Sequence, residues 1–198
     1  MSSHHFVKEG QEPALFILDA LSLELAGPLL EWAPLVIVTD VVLPAVLRWG
    51  IKVDGVFVQV DRMEEMNLQL NDQAPVEIIS YNDQNDLLST AFTFLIERQQ
   101  KAVNVMAETS DFLFATINRF SQKIQVDVFA TDINWLCIHG GRYEKWFPAK
   151  TRLMIKIEEK QNILSTGLSH QLEYWESNKD GMVTIQSDRS FWVGELSD

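Results

Sequence analysis

The chain has 198 residues, of which 46% are hydrophobic and 22% charged, enough to build one large domain or two small ones without covalent staples. Its net charge of −12 speaks against nucleic acid or an anionic membrane surface as a partner, and the single Cys137 excludes an internal disulfide and any paired-cysteine metal site. No stretch reaches the ~20 apolar residues of a membrane span. The opening Met1-Ser2-Ser3-His4-His5 lacks the basic-then-apolar layout of a signal peptide, so a cytoplasmic setting is expected.

In chain order, Ala14–Leu18, Leu35–Val38, Gly55–Val60, Val76–Ile79, Ala102–Met106 and Ile124–Phe129 are short apolar runs of the kind that form buried parallel strands. Helix-like segments separate them. Leu87, Leu88, Ala91, Phe92, Leu95 and Ile96 recur at helical spacing between Asp86 and Arg98, and Leu21–Trp32, Leu43–Trp49 and Phe112–Phe120 read as helices too. This alternation predicts an α/β fold with a mostly parallel βαβ sheet over residues 1–133. From Asn134 the rhythm changes. Trp135–His139, Arg142–Phe147, Arg152–Glu158, Met182–Gln186 and Phe191–Val193 follow one another across turn residues with no long helix between them, predicting an all-β sandwich over 134–198.

Aspartates follow four of the apolar runs: Asp40, Asp61, the pair Asp83 and Asp86, and Asp111. In a parallel sheet all carboxyl ends share one edge, which is where open α/β folds bind ligands. Hard carboxylate donors without His or Cys suit Mg²⁺, shared with phosphate oxygens. The alternative for each aspartate is a helix cap. There is no GxxxxGK[ST] or GxGxxG loop, so a nucleotide would be held through metal and helix ends.

The order of these elements and their acidic ends resembles the thiamine pyrophosphokinase family, from about residue 14 onward. The family's third strand leads from Pro-Asp into Gly-Asp-x-Asp-Ser. Here Asp54 and Asp61 match, while Val58, Gln59 and Arg62 replace the motif glycine, the first aspartate and the serine. The family's Asp-x-Thr-Asp is similar to Asp83-Gln84-Asn85-Asp86, and its Arg-x-Asp-His to Thr109-Ser110-Asp111-Phe112, which keeps only the aspartate. The early Asp-Gly-Gly stands as Asp40-Val41-Val42, and the later Gly-Leu-Lys and Ser-Asn motifs as Gly167-Leu168-Ser169 and Ser177-Asn178.

The resemblance implies transfer of pyrophosphate from ATP to thiamine, giving thiamine diphosphate and AMP. Asp61, Asp86 and Asp111 would then be catalytic, and Asp61, Asp83, Asp86 and Asp111 the Mg²⁺ ligands. Asp40, Gln59, Arg62 and Asp83 would contact ATP, with Arg62 the candidate to replace the lost arginine. His170, Trp175, Ser177 and Asn178 would bind thiamine, His170 or Trp175 by stacking. The family also implies a homodimer. The alternatives are a non-catalytic binder of thiamine compounds or nucleotides, a dimeric interaction module, or a related transferase acting on another alcohol. His4 and His5, His139, Cys137 and the acids Glu158 and Glu159 read more simply as terminal, turn, core and solvated-strand residues.

Overall fold

The apolar runs of the first two thirds are parallel strands, buried except for the half-exposed fourth at the sheet edge, in the computed structural model, which describes residues 12–70, 75–139, 141–157 and 162–196, without the side chains at 84 and 85. His4, His5, Gly140, Glu158 and Glu159 lie outside the described residues. The chain divides between Thr131 and Asp132 into two units.

In the first unit, β1 (Ala14–Ile17), β2 (Val36–Thr39), β3 (Gly55–Gln59), β4 (Glu77–Tyr81), β5 (Ala102–Met106) and β6 (Gln125–Phe129) form a parallel array. Their spatial order is β6-β5-β1-β2-β3-β4. The helices are α1 (Leu23–Leu30), α2 (Leu43–Arg48), α3 (Met63–Leu70), α4 (Gln84–Glu97) and α5 (Asp111–Phe120). Alternate strand residues point to opposite faces. Leu15, Ile17, Val36, Val38, Val56 and Val58 join Ala26 of α1, Leu43 and Val46 of α2 and Met66 and Leu70 of α3 in one core. The ring of Phe57 meets Phe16 and, from α4, Phe94, at centroid distances of 5.8 and 5.7 Å, while Phe92 of α4 packs on Phe120 of α5. Both faces of the sheet are thus covered, which explains why its strands read as near-continuous apolar runs.

The helix α3 has no counterpart in the sequence reading. Only Met66 and Leu70 of its eight residues are buried, one turn apart, a stripe too narrow to stand out among Glu64, Glu65, Asn67 and Gln69.

The second unit is antiparallel throughout. One sheet holds β7 (Ile133–Ile138), β9 (Arg152–Lys156), β11 (Leu168–His170), β12 (Trp175–Ser177) and β14 (Phe191–Leu196), in the order β7-β14-β9-β12-β11. The other holds β8 (Arg142–Phe147), β10 (Ile163–Thr166) and β13 (Gly181–Ser187), with β13 central. Tyr143, Phe147, Val183 and Ile185 from the smaller sheet pack with Leu153, Phe191 and Val193 from the larger, the interior of a sandwich. The strands β10, β11 and β12 are three or four residues long, too short for an alternating pattern to stand out in sequence. No helix among the described residues is long and apolar enough to cross a membrane.

Candidate active site at the carboxyl edge

The strand order sets where each acid falls. β1 neighbours β2 on one side and β5 on the other, so chain connections leave in opposite directions and open a crevice at their carboxyl ends. Asp19, just beyond β1, spans this crevice by accepting the backbone N–H of Glu108, just beyond β5, at 2.9 Å. The Glu108 carboxylate in turn accepts the Thr131 hydroxyl at 2.7 Å. Sequence reasoning passed over Asp19 although it directly follows the first apolar run, Ala14–Leu18, and so carries the same signal as the acids after the later runs.

Asp40 follows β2 directly and is buried, its side chain only 1% exposed. Its Oδ2 accepts a hydrogen bond from Nη1 of Arg62 at 2.6 Å, and its Oδ1 is buried and accepts no hydrogen bond among the described residues. Arg62 belongs to a 3-10 turn, Val60–Arg62, between β3 and α3, and its Nε lies 3.8 Å from Glu65. The Arg62 side chain remains 41% exposed. Tyr81, the last residue of β4, completes this corner. Its burial, reinforced by the charges of Asp40 and Asp61 against the opposing pull of Arg62, holds the phenol above its ordinary range. Tyr81 carries no signal in the sequence, since it ends an apolar run as any strand aromatic would.

The other acids sit in different places along the edge. Asp61 lies in the 3-10 turn after β3, Asp83 just before α4, Asp86 in the first turn of α4 and Asp111 in the first turn of α5, all exposed. Gln59, the last residue of β3, is half-buried. The capping alternative does not account for Asp111 or Asp40. Ser110 caps α5 by accepting the Leu113 N–H at 3.1 Å, and α2 has Val42 in the cap position and no side-chain cap.

Asp40, Asp61, Arg62 and Tyr81 are brought together beyond β2, β3 and β4, whereas Asp111 follows β5. The strands β1 and β2 stand between β5 and β3, which separates their ends by about 14 Å at three strand spacings. Among the described residues, no three Asp, Glu, His or Cys side chains form one metal-holding group. The donor set therefore fits Mg²⁺ in one manner only, on one or two carboxylates with the remaining positions filled by phosphate oxygens and water. Asp40 is already bound to a resident cation.

In the second unit, His170 faces Trp175 across β11 and β12, their rings 4.7 Å apart and tilted by 58°. Ser177 is an internal fastening. Buried at 1% exposure, its hydroxyl accepts the Thr151 N–H at 2.8 Å and donates to the Pro148 carbonyl at 2.5 Å. Asn178 is exposed, and its backbone N–H bonds the carbonyl of Gly167 at 3.0 Å. Gly167 has φ +81°, and a Cβ there would meet the Met182 carbonyl oxygen at 2.9 Å, so glycine is required at this corner.

No protein-family model matches the chain, and no curated protein matches it in sequence. Solved structures do match it. Thiamine pyrophosphokinase from Bacillus subtilis superimposes with a TM-score of 0.68 at 13% identity, covering 93% of this chain and 99% of that one. The enzyme from Geobacillus thermodenitrificans gives 0.69 at 11%, covering 93% and 98%, and the yeast enzyme 0.64 at 10%, covering 96% and 88%. Over nearly its whole length, with a parallel α/β unit followed by an antiparallel β unit, this chain has the fold of the thiamine pyrophosphokinases.

Proposed function

We propose that the chain transfers pyrophosphate from ATP to thiamine, giving thiamine diphosphate and AMP, at the carboxyl edge of its parallel sheet. The observation that carries this reading is the Arg62 guanidinium anchored on buried Asp40. Phosphoryl chemistry depends on positioning and on charge neutralisation. A guanidinium has five N–H donors, and Arg62 uses few of them on Asp40 and Glu65, leaving an exposed face for the phosphates of ATP. It thereby takes over the role left open by Thr109. One or two of Asp61, Asp83 and Asp86 would hold Mg²⁺ with the nucleotide, and Asp111 would act further along the edge. When bound, Mg²⁺ supplies neutralisation of the charge that develops on the phosphates.

In the transfer, the hydroxyethyl oxygen of thiamine bonds to the β-phosphorus, the bond from that phosphorus to the α-bridging oxygen breaks, and the hydroxyl proton passes to solvent. Thiamine carries a permanent positive charge, which suits a chain of net charge −12. The His170–Trp175 pair offers it an aromatic surface. The homodimer that accompanies this reading is supported by Trp146 and Met182, a cross-strand pair 56% and 57% exposed on the smaller sheet.

A second reading, a non-catalytic binder, is favoured by Val41 and Phe112. They are 70% and 51% exposed where the resemblance has glycine and histidine, so they put apolar surface where it would have small and polar groups. Incubation with Mg²⁺, ATP and thiamine, following AMP release, separates the two. The transferase reading expects a rate at least tenfold above that of Asp86→Asn and of Arg62→Met. Equal rates in all three, with thiamine or a nucleotide still raising the melting temperature, would select the binder.

A further inference from the structure

The strand β4 ends in a tyrosine whose ring and hydroxyl lie in different surroundings. We propose, resting on the nucleotide site described above, that the Tyr81 hydroxyl donates a hydrogen bond to the phosphate chain of the nucleotide, beside the Arg62 guanidinium.

Three observations carry this role. The first is position. Tyr81 is the register partner of Gln59, the last residue of β3, and on the other side of β3 the N–H of Asp40 binds the Phe57 carbonyl at 3.0 Å. Asp40 and Tyr81 therefore flank the end of β3 from its two neighbouring strands, and the charges that act on the phenol are those of Asp40, Arg62 and Asp61. The second is accessibility at one atom. Tyr81 is 5% exposed as a whole, so packing fixes its ring. Its hydroxyl makes no hydrogen bond among the described residues, yet it does not belong to the buried polar atoms left without one, so water reaches it. A donor is thus held in place with a replaceable partner. The third is the sign of the surroundings. Arg62 has Asp40 at 2.6 Å, Glu65 at 3.8 Å and Asp61 beside it in sequence. Carboxylates only accept hydrogen bonds and repel a phosphate unless a cation intervenes, so direct contact with phosphate oxygens falls to donors. Tyr81 adds to Arg62 a neutral donor that needs no further counter-charge.

The test is calorimetric titration of the full chain with ATP and Mg²⁺, without thiamine, for the parent, Tyr81→Phe and Ile79→Val. Circular dichroism establishes that each is folded. Tyr81→Phe deletes the oxygen and keeps the ring. Ile79→Val trims the same face of the same strand two residues earlier and removes no donor, so it reports what repacking alone does. We expect saturable binding in the parent, weakened about tenfold by Tyr81→Phe, as the loss of a hydrogen bond to a charged acceptor implies, and changed less than about twofold by Ile79→Val. Equal affinity in the parent and Tyr81→Phe overturns the proposal. So does an equal loss in Ile79→Val, which would make Tyr81 a packing residue. Absence of saturable ATP binding in the parent overturns it together with the transferase reading. Binding weakened by Tyr81→Phe alone, in a chain that releases no AMP, sustains the Tyr81 contact and ends only the transferase reading.

Discussion

Arg62 reaches back 22 residues to place its Nη1 2.6 Å from the Oδ2 of Asp40, an acid whose side chain is 1% exposed. Removing the guanidinium strands a buried carboxylate, and breaking such a pair by deleting one partner costs several kcal/mol. Arg62 is itself 41% exposed, so water reaches the gap and offsets part of that loss. We expect Arg62→Met to lower unfolding stability by about 2 kcal/mol in urea titrations, and Asp40→Asn added to it to recover more than half. A double variant no more stable than Arg62→Met would show that the pair is not coupled.

The strand order makes a kinetic statement about the acids. With β1 and β2 interposed, the carboxyl ends of β5 and β3, which Asp111 and Asp61 follow, stand about 14 Å apart, beyond the range at which substitutions usually interact. Each of Asp61→Asn and Asp111→Asn should slow AMP release by about tenfold to a hundredfold, in line with loss of a charge-positioning group. Their effects should multiply in the double variant. If the double variant is no slower than the worse single one, the two carboxylates serve one ion, and the separation argued from the sheet is wrong.

Much of this arrangement is legible in the sequence because parallel strands covered on both faces must be apolar throughout, as Val56, Phe57 and Val58 are. The acids at their carboxyl ends are equally visible, and so is the change of rhythm near Asn134. What is not visible is lateral order. Nothing in the spacing of Asp61 and Asp111 reveals that two strands separate them, since strand order is decided by which crossovers pack, not by chain position. Nor does sequence distinguish a ligand-facing serine from a structural one: Ser177 matches a binding motif yet spends its hydroxyl on Thr151 and Pro148.

That fastening makes Ser177 a stability residue. Ser177→Ala deletes an acceptor for the Thr151 N–H and a donor to the Pro148 carbonyl, leaving backbone groups without these partners in a buried setting. We expect a loss of about 1–3 kcal/mol in denaturant unfolding. By contrast, Trp175→Phe keeps an aromatic surface beside His170 but trims a ring packed against the core, so it should cost about 1 kcal/mol while altering thiamine affinity. Unaltered thiamine affinity in Trp175→Phe would contradict the separation of roles drawn here.

Tyr143 governs the alkaline limit of the second unit. Its hydroxyl donates to Glu195 at 2.8 Å, and Lys145 binds the same carboxylate at 2.7 and 2.6 Å. Burial, then the bond to Glu195 and that residue's charge, push the Tyr143 phenol well above its usual value of 10.0. Below that value both the folded and unfolded chains keep the phenolic proton, and the contribution is fully present. Above it the unfolded chain releases the proton while the folded chain holds it, so stability falls, by about 1.4 kcal/mol for each pH unit. Tyr143→Phe should cost about 1–2 kcal/mol at pH 7, from the lost bond to a charged acceptor. Between about pH 10 and 11 its stability should decline less steeply than that of the parent chain. Parallel slopes in denaturant melts over that interval would mean that Tyr143 ionises alike in both states and that the bond to Glu195 does not retain its proton.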